Sequence, residues 1–457
     1  MSAWEPVGTQ VSNPDRTILK GGRVVDPVNG VDGSADVLID GGRVTRVGPN
    51  LEIEPGTVII EVPPGCVVCP GFIDMHVHLR EPGHEYKETV ATGVAAAVAG
   101  GFTAVACMPN TDPVNDDAGI TRLILDRAAQ ARLARVYPVG AVTKGQAGEQ
   151  LAEIGELRAA GCVAVSDDGR PVANASLMRR ALEYAAMFDM PVIDHCEDVS
   201  LAGDGVAHEG HHAAVLGLRG LPGVAEEIIV ERDVTLSGLT GSPVHIAHIS
   251  ARGALDAVRS GKHRDIRVSC EVTPHHFTLT DEQLAGYDTN YKMNPPLREA
   301  ADVEAMLEGL RDGSIDCIAT DHAPHHYDEK LVEFDRAPFG IVGLETAVSI
   351  CLDRLVHAGH VPLSRLVELL AVNPARVLGV PGGDLTPGGP ADITVLAPDL
   401  AVRVDAAAFR SLARNTPFDG WSLRGGVAAT MVGGRTVYVN EAVPGATTFD
   451  PHLAARG

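Results

Sequence analysis

The middle of the chain alternates short apolar stretches with longer stretches rich in Ala, Leu and Glu, and this alternation most restricts the possible fold. Eight of the apolar stretches have the length and composition of buried strands. They occupy residues 68–75, 103–108, 135–141, 162–166, 191–194, 243–247, 266–272 and 315–320. Helical patterns lie between them, as at 89–100, 118–133, 174–188 and 341–358. Eight strand–helix units predict a closed parallel (β/α)8 barrel of the TIM type.

The two ends of the chain have a different pattern. Residues 17–68 contain short β-branched stretches bounded by Gly and Pro, and ADITVLAP and AATMVGGRTVYVN repeat this pattern near the C terminus. Gly-Gly-Arg begins at Gly21, Gly41 and Gly433, so it occurs at both ends. We therefore expect the ends to form one small β-domain beside the barrel. The expected divisions are 1–68, 69–379 and 380–457, and we expect residues 1–16 to be disordered.

Composition and charge exclude several kinds of partner. The 457 residues carry a formal net charge of -23, which argues against binding to nucleic acid or to an anionic membrane surface. No apolar run is long enough to cross a membrane and no export signal opens the chain, so we expect a cytoplasmic protein. The eight cysteines are scattered, and Cys66-x-x-Cys69 has no second pair at zinc-ribbon spacing, so we expect buried, reduced thiols.

His76 and His78 close the first predicted strand. Side chains two residues apart on a strand point to the same face. In (β/α)8 barrels the reacting groups lie at the C-terminal ends of the strands, so both imidazoles are expected at the barrel mouth. Two imidazoles at this spacing suit a single metal ion.

Further His and Asp residues end later predicted strands. They are Asp168 after the fourth strand, His195 after the fifth, His248 after the sixth and Asp321 after the eighth. Singly, each has an ordinary explanation, because Asp often caps helices and His often satisfies hydrogen bonds in the core. Together with the histidine pair, they form the mixed nitrogen and oxygen set that Zn²⁺ accepts. The sequence therefore predicts a catalytic zinc site built from six side chains.

Neighbouring residues offer alternatives to these candidates. Asp167, Asp194 and His245 lie one to three residues away from them. Strand alternation prevents His245 from sharing the inner face with the His three positions later, unless the strand ends between the two. His275 and His276 end the seventh strand, where either one could line the pocket or bond to a metal ligand. Their roles stay open.

Seven segments carry a family resemblance: GFIDMHVHLREPG, CMPNTDP, VSDDG, IDHCED, CEVTPHHF, MNPPLR and ATDHAPHH. Together they resemble the type I dihydroorotases of the amidohydrolase superfamily, from about Lys20 to about Tyr438. The combination of H-x-H-L-R-E-P-G with D-H-A-P-H is much more specific than either motif alone. The resemblance implies a zinc-bearing barrel with a split β-sandwich domain. It also implies an enzyme of de novo pyrimidine (UMP) biosynthesis that converts N-carbamoyl-L-aspartate reversibly to L-dihydroorotate and water.

The resemblance also divides the six ligands between two zinc ions. The implied division is His76, His78 and Asp321 on one ion, His195 and His248 on the other, and Asp168 between them. Many relatives bridge their metals with a carboxylated lysine after the fourth strand, but this chain has no lysine between Lys144 and Lys262. Aspartate is shorter than a carboxylated lysine, so the sequence leaves open whether one zinc ion or two are bound.

Roles toward substrate follow from the same resemblance. The residues implied to bind substrate are Arg80, Asn110, Asn294 and His325, with the backbone around Phe339 and Gly340. The planar fork of Arg80 can hold a carboxylate through two hydrogen bonds. Asp321 is expected to move a proton between water and the ring nitrogen. Residues 321–343, which follow the eighth strand, are expected to form a mobile lid.

Two rival interpretations differ from this one. A hydantoinase or allantoinase would share the fold and the metal ligands, but Arg80, Asn110 and the missing lysine favour a dihydroorotase. A catalytically inactive homologue could instead serve as a scaffold for aspartate transcarbamoylase, although such proteins tend to lose ligands and this chain keeps six. Besides the small-molecule substrate, that transcarbamoylase or a second copy of the chain is the kind of partner to expect.

Overall fold

The computed structural model describes residues 16–449, in which the strands form three sheets. The strands are β1 (Arg16–Asp26), β2 (Val31–Asp40), β3 (Arg43–Gly48), β4 (Val58–Glu61), β5 (Val67–Pro70), β6 (Phe72–Val77), β7 (Phe102–Cys107), β8 (Arg135–Gly140), β9 (Ala164–Val165), β10 (Val192–Asp194), β11 (Ala207–His208), β12 (Gly220–Leu221), β13 (Val244–Ile246), β14 (Val268–Val272), β15 (Cys317–Ile318), β16 (Ile393–Arg403), β17 (Ser422–Val432) and β18 (Arg435–Val439).

Helices connect most of these strands. The α-helices are α1 (Val90–Ala99), α2 (Ala118–Ala131), α3 (Ile154–Ala160), α4 (Ala175–Ala186), α5 (Val199–Ala202), α6 (His211–Leu216), α7 (Val224–Thr240), α8 (Arg252–His263), α9 (Ala300–Asp312), α10 (Tyr327–Lys330), α11 (Ala347–Cys351), α12 (Leu363–Val367) and α13 (Asn373–Leu378). Two π-helical turns, Leu352–His357 and Glu368–Val372, continue α11 and α12. Short 3₁₀ helices are Lys144–Gln146, Asp281–Gly286, Thr289–Tyr291, Ala406–Ala408 and Ala446–Phe449.

A parallel barrel occupies the centre of the molecule. Its strands run in the order β6-β7-β8-β9-β10-β13-β14-β15, and every neighbouring pair is parallel. The ring closes where Val77 bridges His322 and the His78 N–H donates to the His322 carbonyl at 2.8 Å. The predicted (β/α)8 barrel is confirmed, with all eight strands in the expected order.

Burial on both faces explains why the barrel strands are almost continuously apolar. All six residues of β6 and all six of β7 are buried, because helices cover the outside of the barrel and side chains from the other strands fill its inside. The helices are amphipathic in the complementary way. In α8, for example, Leu255 and Val258 are fully buried, while Asp256 and Ser260 are exposed. The C-terminal ends of the strands therefore meet at one mouth.

The two chain ends form a second sheet beside the barrel. Its order is β18-β17-β16-β5-β1-β2-β3, with β4 paired to β1, so it confirms the expected additional β-domain. The repeated Gly-Gly dipeptides have a structural reason in two of their three occurrences. Gly41 and Gly42 (φ 56° and 76°) and Gly433 and Gly434 (φ 56° and 73°) form the tight turns of two hairpins. Positive φ at both turn positions suits glycine.

Two predicted elements were partly wrong. The first barrel strand was expected at 68–75, but residues 67–70 form β5 and pair with β16 in the other sheet. The barrel strand β6 begins only at Phe72. A helix was expected over 341–358, yet α11 begins at Ala347. Ile341 instead pairs with His322, which is a contact between distant residues that outweighs the local helical pattern.

Three further expectations concern the chain as a whole. Within residues 16–449, no helix combines the length and the apolarity needed to cross a membrane. All eight cysteines are buried, free thiols. The expected disorder of residues 1–16 falls on positions 1–15, which lie outside the described residues, and on Arg16, which opens β1.

Candidate active site

The barrel mouth gathers the six side chains that the sequence predicts as ligands. His76 lies on β6, and the other five follow a strand: His78 follows β6, Asp168 β9, His195 β10, His248 β13 and Asp321 β15. Each residue lies at or within three residues of the C-terminal end of its strand, as the barrel geometry requires. All six are buried, with between 0% and 7% of their surface exposed. The structure therefore brings together every predicted ligand.

Asp168 lies between the two groups of histidines. Its Oδ1 is 3.3 Å from His76 Nε2 and 3.7 Å from His248 Nε2, while its Oδ2 is 3.5 Å from His78 Nε2. His195 Nδ1 is 3.8 Å from the same Oδ1 and 2.8 Å from His248 Nε2. This central position is the one that a bridging carboxylate would need.

Asp321 completes the set on the side of the first histidine pair. Its Oδ1 is 3.0 Å from His78 Nε2 and 3.5 Å from His76 Nε2. Its Oδ2 has no hydrogen-bond partner among residues 16–449. One carboxylate oxygen therefore faces the histidines, and the other is available to a molecule in the mouth.

The charges at the mouth are unusual for a protein interior. Asp168, Asp321 and the fully buried Glu271 form ion pairs only with histidines, and no Lys or Arg in the described part of the chain forms an ion pair with them. Burial by itself would raise the pKa of Asp168, but the charge of His76 lowers that pKa well below its usual range. Burial would also raise the pKa of Asp321, but His76 and His78 outweigh it, so this pKa is lowered. Buried carboxylates grouped with imidazoles, and with no ion pair to Lys or Arg, suit a bound cation.

Atoms without hydrogen-bond partners support a metal at this place. Buried His76 Nε2 and Asp168 Oδ1 face each other at 3.3 Å and neither makes a hydrogen bond within residues 16–449. Two triads there have ligand atoms that all lie within 4.8 Å of one another: His76, Asp168 and His248, and His76, His78 and Asp321. Two or more imidazoles with carboxylates form a donor set that fits Zn²⁺. The residues present therefore fit a zinc centre.

Glu271, on β14, orients two parts of this centre, and the sequence interpretation missed it. Its Oε1 contacts His76 Nδ1 at 2.7 Å, and its Oε2 contacts His245 Nε2 at 3.3 Å. A carboxylate on Nδ1 directs the Nε2 lone pair of His76 toward the metal position. The available signal was a Glu between the apolar residues Cys270 and Val272 near the end of a predicted strand, in CEVTPHHF.

The backbone at the mouth adopts uncommon conformations. Arg80, His248 and Asp321 have φ of 62°, 30° and 48°. L-residues are seldom found in this left-handed region, and such residues concentrate at functional sites. The conformation of His248 answers the question that strand alternation left open. Strand β13 ends at Ile246, so the turn after it lets both His245 and His248 face the interior.

The alternative carboxylates are occupied elsewhere. Asp167 Oδ1 accepts hydrogen bonds from the backbone N–H groups of Val142 at 2.8 Å and Thr143 at 3.1 Å. Asp194 contacts Arg232 and lies beside the carboxyl group of Asp233. Neither one belongs to the groups formed around His76.

Arg80 lies at the mouth, where the sequence places it. Its Nε donates to the Pro324 carbonyl at 3.1 Å, and its two Nη atoms have no hydrogen-bond partner among residues 16–449. Burial lowers the pKa of Arg80 while the carboxylates of Asp321 and Asp168 oppose that shift. The guanidinium remains a cation near neutral pH, with its terminal donors free.

The two predicted asparagines contact the candidate metal ligands. Asn110 Oδ1 is 2.8 Å from His78 Nδ1, so it orients this ring as Glu271 orients His76. Asn294 Nδ2 donates to Glu197 Oε2 at 2.9 Å and lies 3.3 Å from His195 Nε2. The Asn294 Oδ1 atom is buried and makes no hydrogen bond within the described residues.

His325, Phe339 and Gly340 lie together beside the mouth. His325 Nε2 contacts the Phe339 carbonyl at 2.7 Å, which makes this nitrogen the protonated one. Burial and the positive charge of Arg80 lower the pKa of His325 to about 2, so the ring is neutral near neutral pH. The Gly340 N–H donates to the Lys292 carbonyl at 2.9 Å. All three residues are therefore held in defined positions.

Two buried lysines attach the segment after β15 to the rest of the protein. Lys292 Nζ donates to the Phe334 carbonyl at 2.7 Å, and Lys330 Nζ donates to the Pro338 carbonyl at 2.8 Å and the Thr289 carbonyl at 3.0 Å. Burial lowers the pKa of Lys330 to about 7. These hydrogen bonds hold the expected lid, residues 321–343, against residues 289–292 beside the mouth.

The histidine pair left open by the sequence divides into two roles. His276 contacts Thr273 Oγ1 at 2.8 Å and the Pro295 carbonyl at 2.9 Å, so both ring nitrogens are used inside the protein. His275 Nε2 is buried without a hydrogen-bond partner among residues 16–449. Burial and the neighbouring His276 lower the pKa of His275 well below its usual value. A neutral His275 ring therefore lies near the candidate metal centre.

Known proteins with similar sequences cover almost the whole chain. Residues 65–254 match the family described as Dihydro-orotase-like. A dihydroorotase from Syntrophotalea carbinolica is 52% identical over 423 residues, which are 93% of this chain and 99% of the relative. A dihydroorotase from Anaeromyxobacter dehalogenans is 55% identical over 426 residues, which are 93% of this chain and 98% of the relative.

Solved structures show the same architecture. An L-hydantoinase from Arthrobacter aurescens superimposes with a TM-score of 0.82 at 25% identity, covering 93% of this chain and 96% of its own. A dihydropyrimidinase from Brevibacillus agri has a TM-score of 0.82 at 21% identity, covering 95% of this chain and 97% of its own, and shows the shared fold alone.

The barrel, its mouth and these similarities define an enzyme of the cyclic amidohydrolase class. Within this class, the relatives that are more than 50% identical over nearly the full length are dihydroorotases. The chain belongs to the dihydroorotase family.

Proposed function

We propose that the chain is a zinc-dependent dihydroorotase of the type I branch, which converts N-carbamoyl-L-aspartate reversibly to L-dihydroorotate and water. The observation that carries this proposal is the guanidinium of Arg80 at the mouth, with both Nη atoms free of partners among residues 16–449. Both proposed reactants carry a carboxylate that this fork can bind through two hydrogen bonds. The central Asp168, in place of a carboxylated lysine, supports the assignment to the type I branch.

The proposed zinc ligands are the six side chains of the mouth, with Asp168 placed to bridge if two ions are bound. A zinc ion bound there would lower the pKa of a water molecule to about 7 and polarise the reacting carbonyl. The two triads share His76, so the identity of the ligands does not by itself give the number of zinc ions bound. Zinc analysis of the purified protein would give the number of ions directly.

Asp321 is the proposed proton carrier. In the hydrolytic direction its carboxylate takes a proton from the attacking water and delivers it to the ring nitrogen as the amide bond breaks. In the synthetic direction it takes the proton from the carbamoyl nitrogen and delivers it to the departing oxygen. The free Oδ2 of Asp321 is the atom available for this transfer, since Oδ1 contacts His78 and His76.

The remaining polar groups are proposed to orient the substrate. The unpaired Oδ1 of Asn294 can accept a hydrogen bond from a ring N–H. The neutral His325 and the backbone of Phe339 and Gly340 lie beside Arg80 and form one wall of the mouth. Asn110 is proposed to bind substrate and to orient His78, whose Nδ1 it contacts. We further propose a catalytic domain at 69–379 and a companion made of 1–68 and 380–457, with β5 (Val67–Pro70) crossing the boundary because it pairs with β16.

The test is an assay of the purified chain with dihydroorotate, carbamoyl aspartate, hydantoin and allantoin. We expect turnover of the first two, loss of activity after chelation and recovery on adding zinc. Preferential turnover of hydantoin or allantoin would overturn the substrate assignment. Zinc binding without turnover of any of the four would favour the scaffold function, and size-exclusion runs with aspartate transcarbamoylase would then test that partner against self-association.

A further inference from the structure

Asn415 reaches the active-site mouth from the C-terminal part of the chain. It lies between the 3₁₀ helix Ala406–Ala408 and β17, and only 5% of its surface is exposed. Its side-chain amide makes three hydrogen bonds, all to backbone atoms. The Nδ2 group donates to the carbonyls of Ala323 and Gly340, each at 3.1 Å, and Oδ1 accepts from the His325 N–H at 3.1 Å.

These three hydrogen bonds join two separate stretches of backbone. Ala323 and His325 lie near the start of the expected lid (residues 321–343), whereas Gly340 lies near its end. Among the described residues, Asn415 is the one side chain that hydrogen-bonds the backbone of both stretches. Its own carbonyl also accepts the Val342 N–H at 2.9 Å. The Ala323 N–H also donates directly to the Ile341 carbonyl at 2.8 Å. Together with this backbone hydrogen bond, the planar amide of Asn415, which has two donors and one acceptor, fixes the spacing of the two stretches.

The packing at this junction leaves little tolerance. Gly340 has φ of 117°, and a Cβ added there would lie 2.6 Å from the Cβ of Ala323. The ring of His325 meets the carbonyl of Phe339 across the same gap at 2.7 Å. A change in the separation of the two backbones would therefore move His325 and the Phe339–Gly340 peptide relative to each other.

We propose that Asn415 is a positioning residue for the cyclic amidohydrolase reaction, holding His325 and the Phe339–Gly340 peptide at the spacing that the substrate requires. The proposal rests on the proposed function for the identity of the substrate, but the contacts of Asn415 do not depend on it. Among the described residues, the Asn415 side chain hydrogen-bonds none of the six candidate zinc ligands. Its effect should therefore appear in substrate binding and in the order of the expected lid, and not in zinc content.

The decisive variant is Asn415→Asp, which keeps the shape and the Oδ1 acceptor but places an oxygen against two carbonyl oxygens. We expect KM for dihydroorotate to rise about tenfold, because two hydrogen bonds are lost. We expect kcat to change much less and the zinc content to stay the same. Amide hydrogen exchange of residues 337–343 should become faster in the same protein. If Asn415→Asp fails to fold, Asn415→Ala removes the same donors without the added charge.

Asn440→Asp is the matched control. Asn440 also bonds only to backbone, donating to the Val427 carbonyl at 3.0 Å and accepting from the Ala442 N–H at 3.1 Å, away from the mouth. It should change thermal stability without changing KM or exchange at 337–343. The proposal is overturned if Asn415→Asp lowers stability alone, with wild-type KM and wild-type exchange at 337–343. If the wild-type protein turns over no dihydroorotate, the proposed substrate fails, and the exchange experiment still decides the role of Asn415.

Discussion

The carboxylate of Glu271 lies 2.7 Å from Nδ1 of His76, and neither side chain has any exposed surface. Its second oxygen holds His245 at 3.3 Å, so Glu271 connects two imidazoles at the centre of the barrel. Hydrogen bonds of this kind fix the ring orientation and the tautomer of a metal-binding histidine. The zinc affinity of the site should therefore depend on a residue that itself binds no metal.

Glu271→Gln tests this dependence. The amide keeps the shape but loses the charge, and we expect zinc affinity to fall by about 10- to 100-fold. Competition with a chromophoric chelator measures this affinity without any assay of activity. Glu226→Gln is the control, because Glu226 is also a buried barrel carboxylate but accepts from Ser250 N–H and Ala251 N–H instead. Equal zinc affinities for the two variants would contradict the assigned role of Glu271.

Arg80→Met removes the free guanidinium while keeping an apolar stem of similar length. Loss of a charged hydrogen-bonded pair with the substrate carboxylate should raise KM for dihydroorotate by about 10- to 100-fold, with zinc content unchanged. Steady-state kinetics on zinc-saturated protein measure this effect. Arg179→Met serves as the control, since Arg179 forms an exposed pair with Glu183 on α4. An unchanged KM would remove Arg80 from the substrate site.

Asp321→Ala removes the proposed proton carrier. General acid–base catalysis contributes about 10²- to 10⁴-fold to the rate, so kcat should fall by about 10²-fold or more. Some zinc should remain bound to the other ligands. Asp328→Ala changes the same residue type in the segment after β15, where the Asp328 side chain is 82% exposed, and should leave kcat unchanged. Substantial turnover by Asp321→Ala with zinc bound would refute the proposed role.

Glu345 gives the protein a pH-dependent contribution to stability. Burial raises its pKa to about 7, although its carboxylate accepts hydrogen bonds from the N–H groups of Arg410 and Ser411. Because the folded state then binds more protons than the unfolded state, this contribution is present at low pH and is lost between about pH 4.5 and 7. The loss amounts to at most about 3 kcal/mol.

Glu345→Gln cannot titrate, so it should reduce the drop in Tm between pH 5 and pH 8 relative to wild type. Thermal melts of zinc-saturated protein at the two pH values provide the measurement. Glu52→Gln, at an exposed position, should retain the wild-type dependence. Identical pH dependence in Glu345→Gln and wild type would show that Glu345 does not contribute.

Local patterns alone predict much of this protein. Apolar stretches of strand length alternate with helices because strands covered on both faces must be apolar throughout. In such a barrel, a polar residue directly after a strand lies at the mouth, so the positions of His76, His195 and Asp321 followed from the strand ends. The Gly-Gly turns of the companion sheet were also local, since they depend on the conformation of two consecutive residues.

Contacts between distant residues decided the rest. His76 meets Glu271, which lies 195 positions later, and Asn415 meets Ala323 across 92 positions. The alternation of side chains along β14 shows that Glu271 faces inward. Which histidine its carboxylate contacts depends on how the barrel closes. Ile341 does not join a helix because His322 offers it a backbone partner.

The elements that form and the side chains that stand at the strand ends depend on neighbours along the chain, so the order of amino acids was enough to predict them. The pairing of Glu271 with His76, and of Asn415 with the segment after β15, follows instead from the way the chain folds. Hydrogen bonds between side chains act over about 3 Å in space, whatever the separation of the residues in sequence.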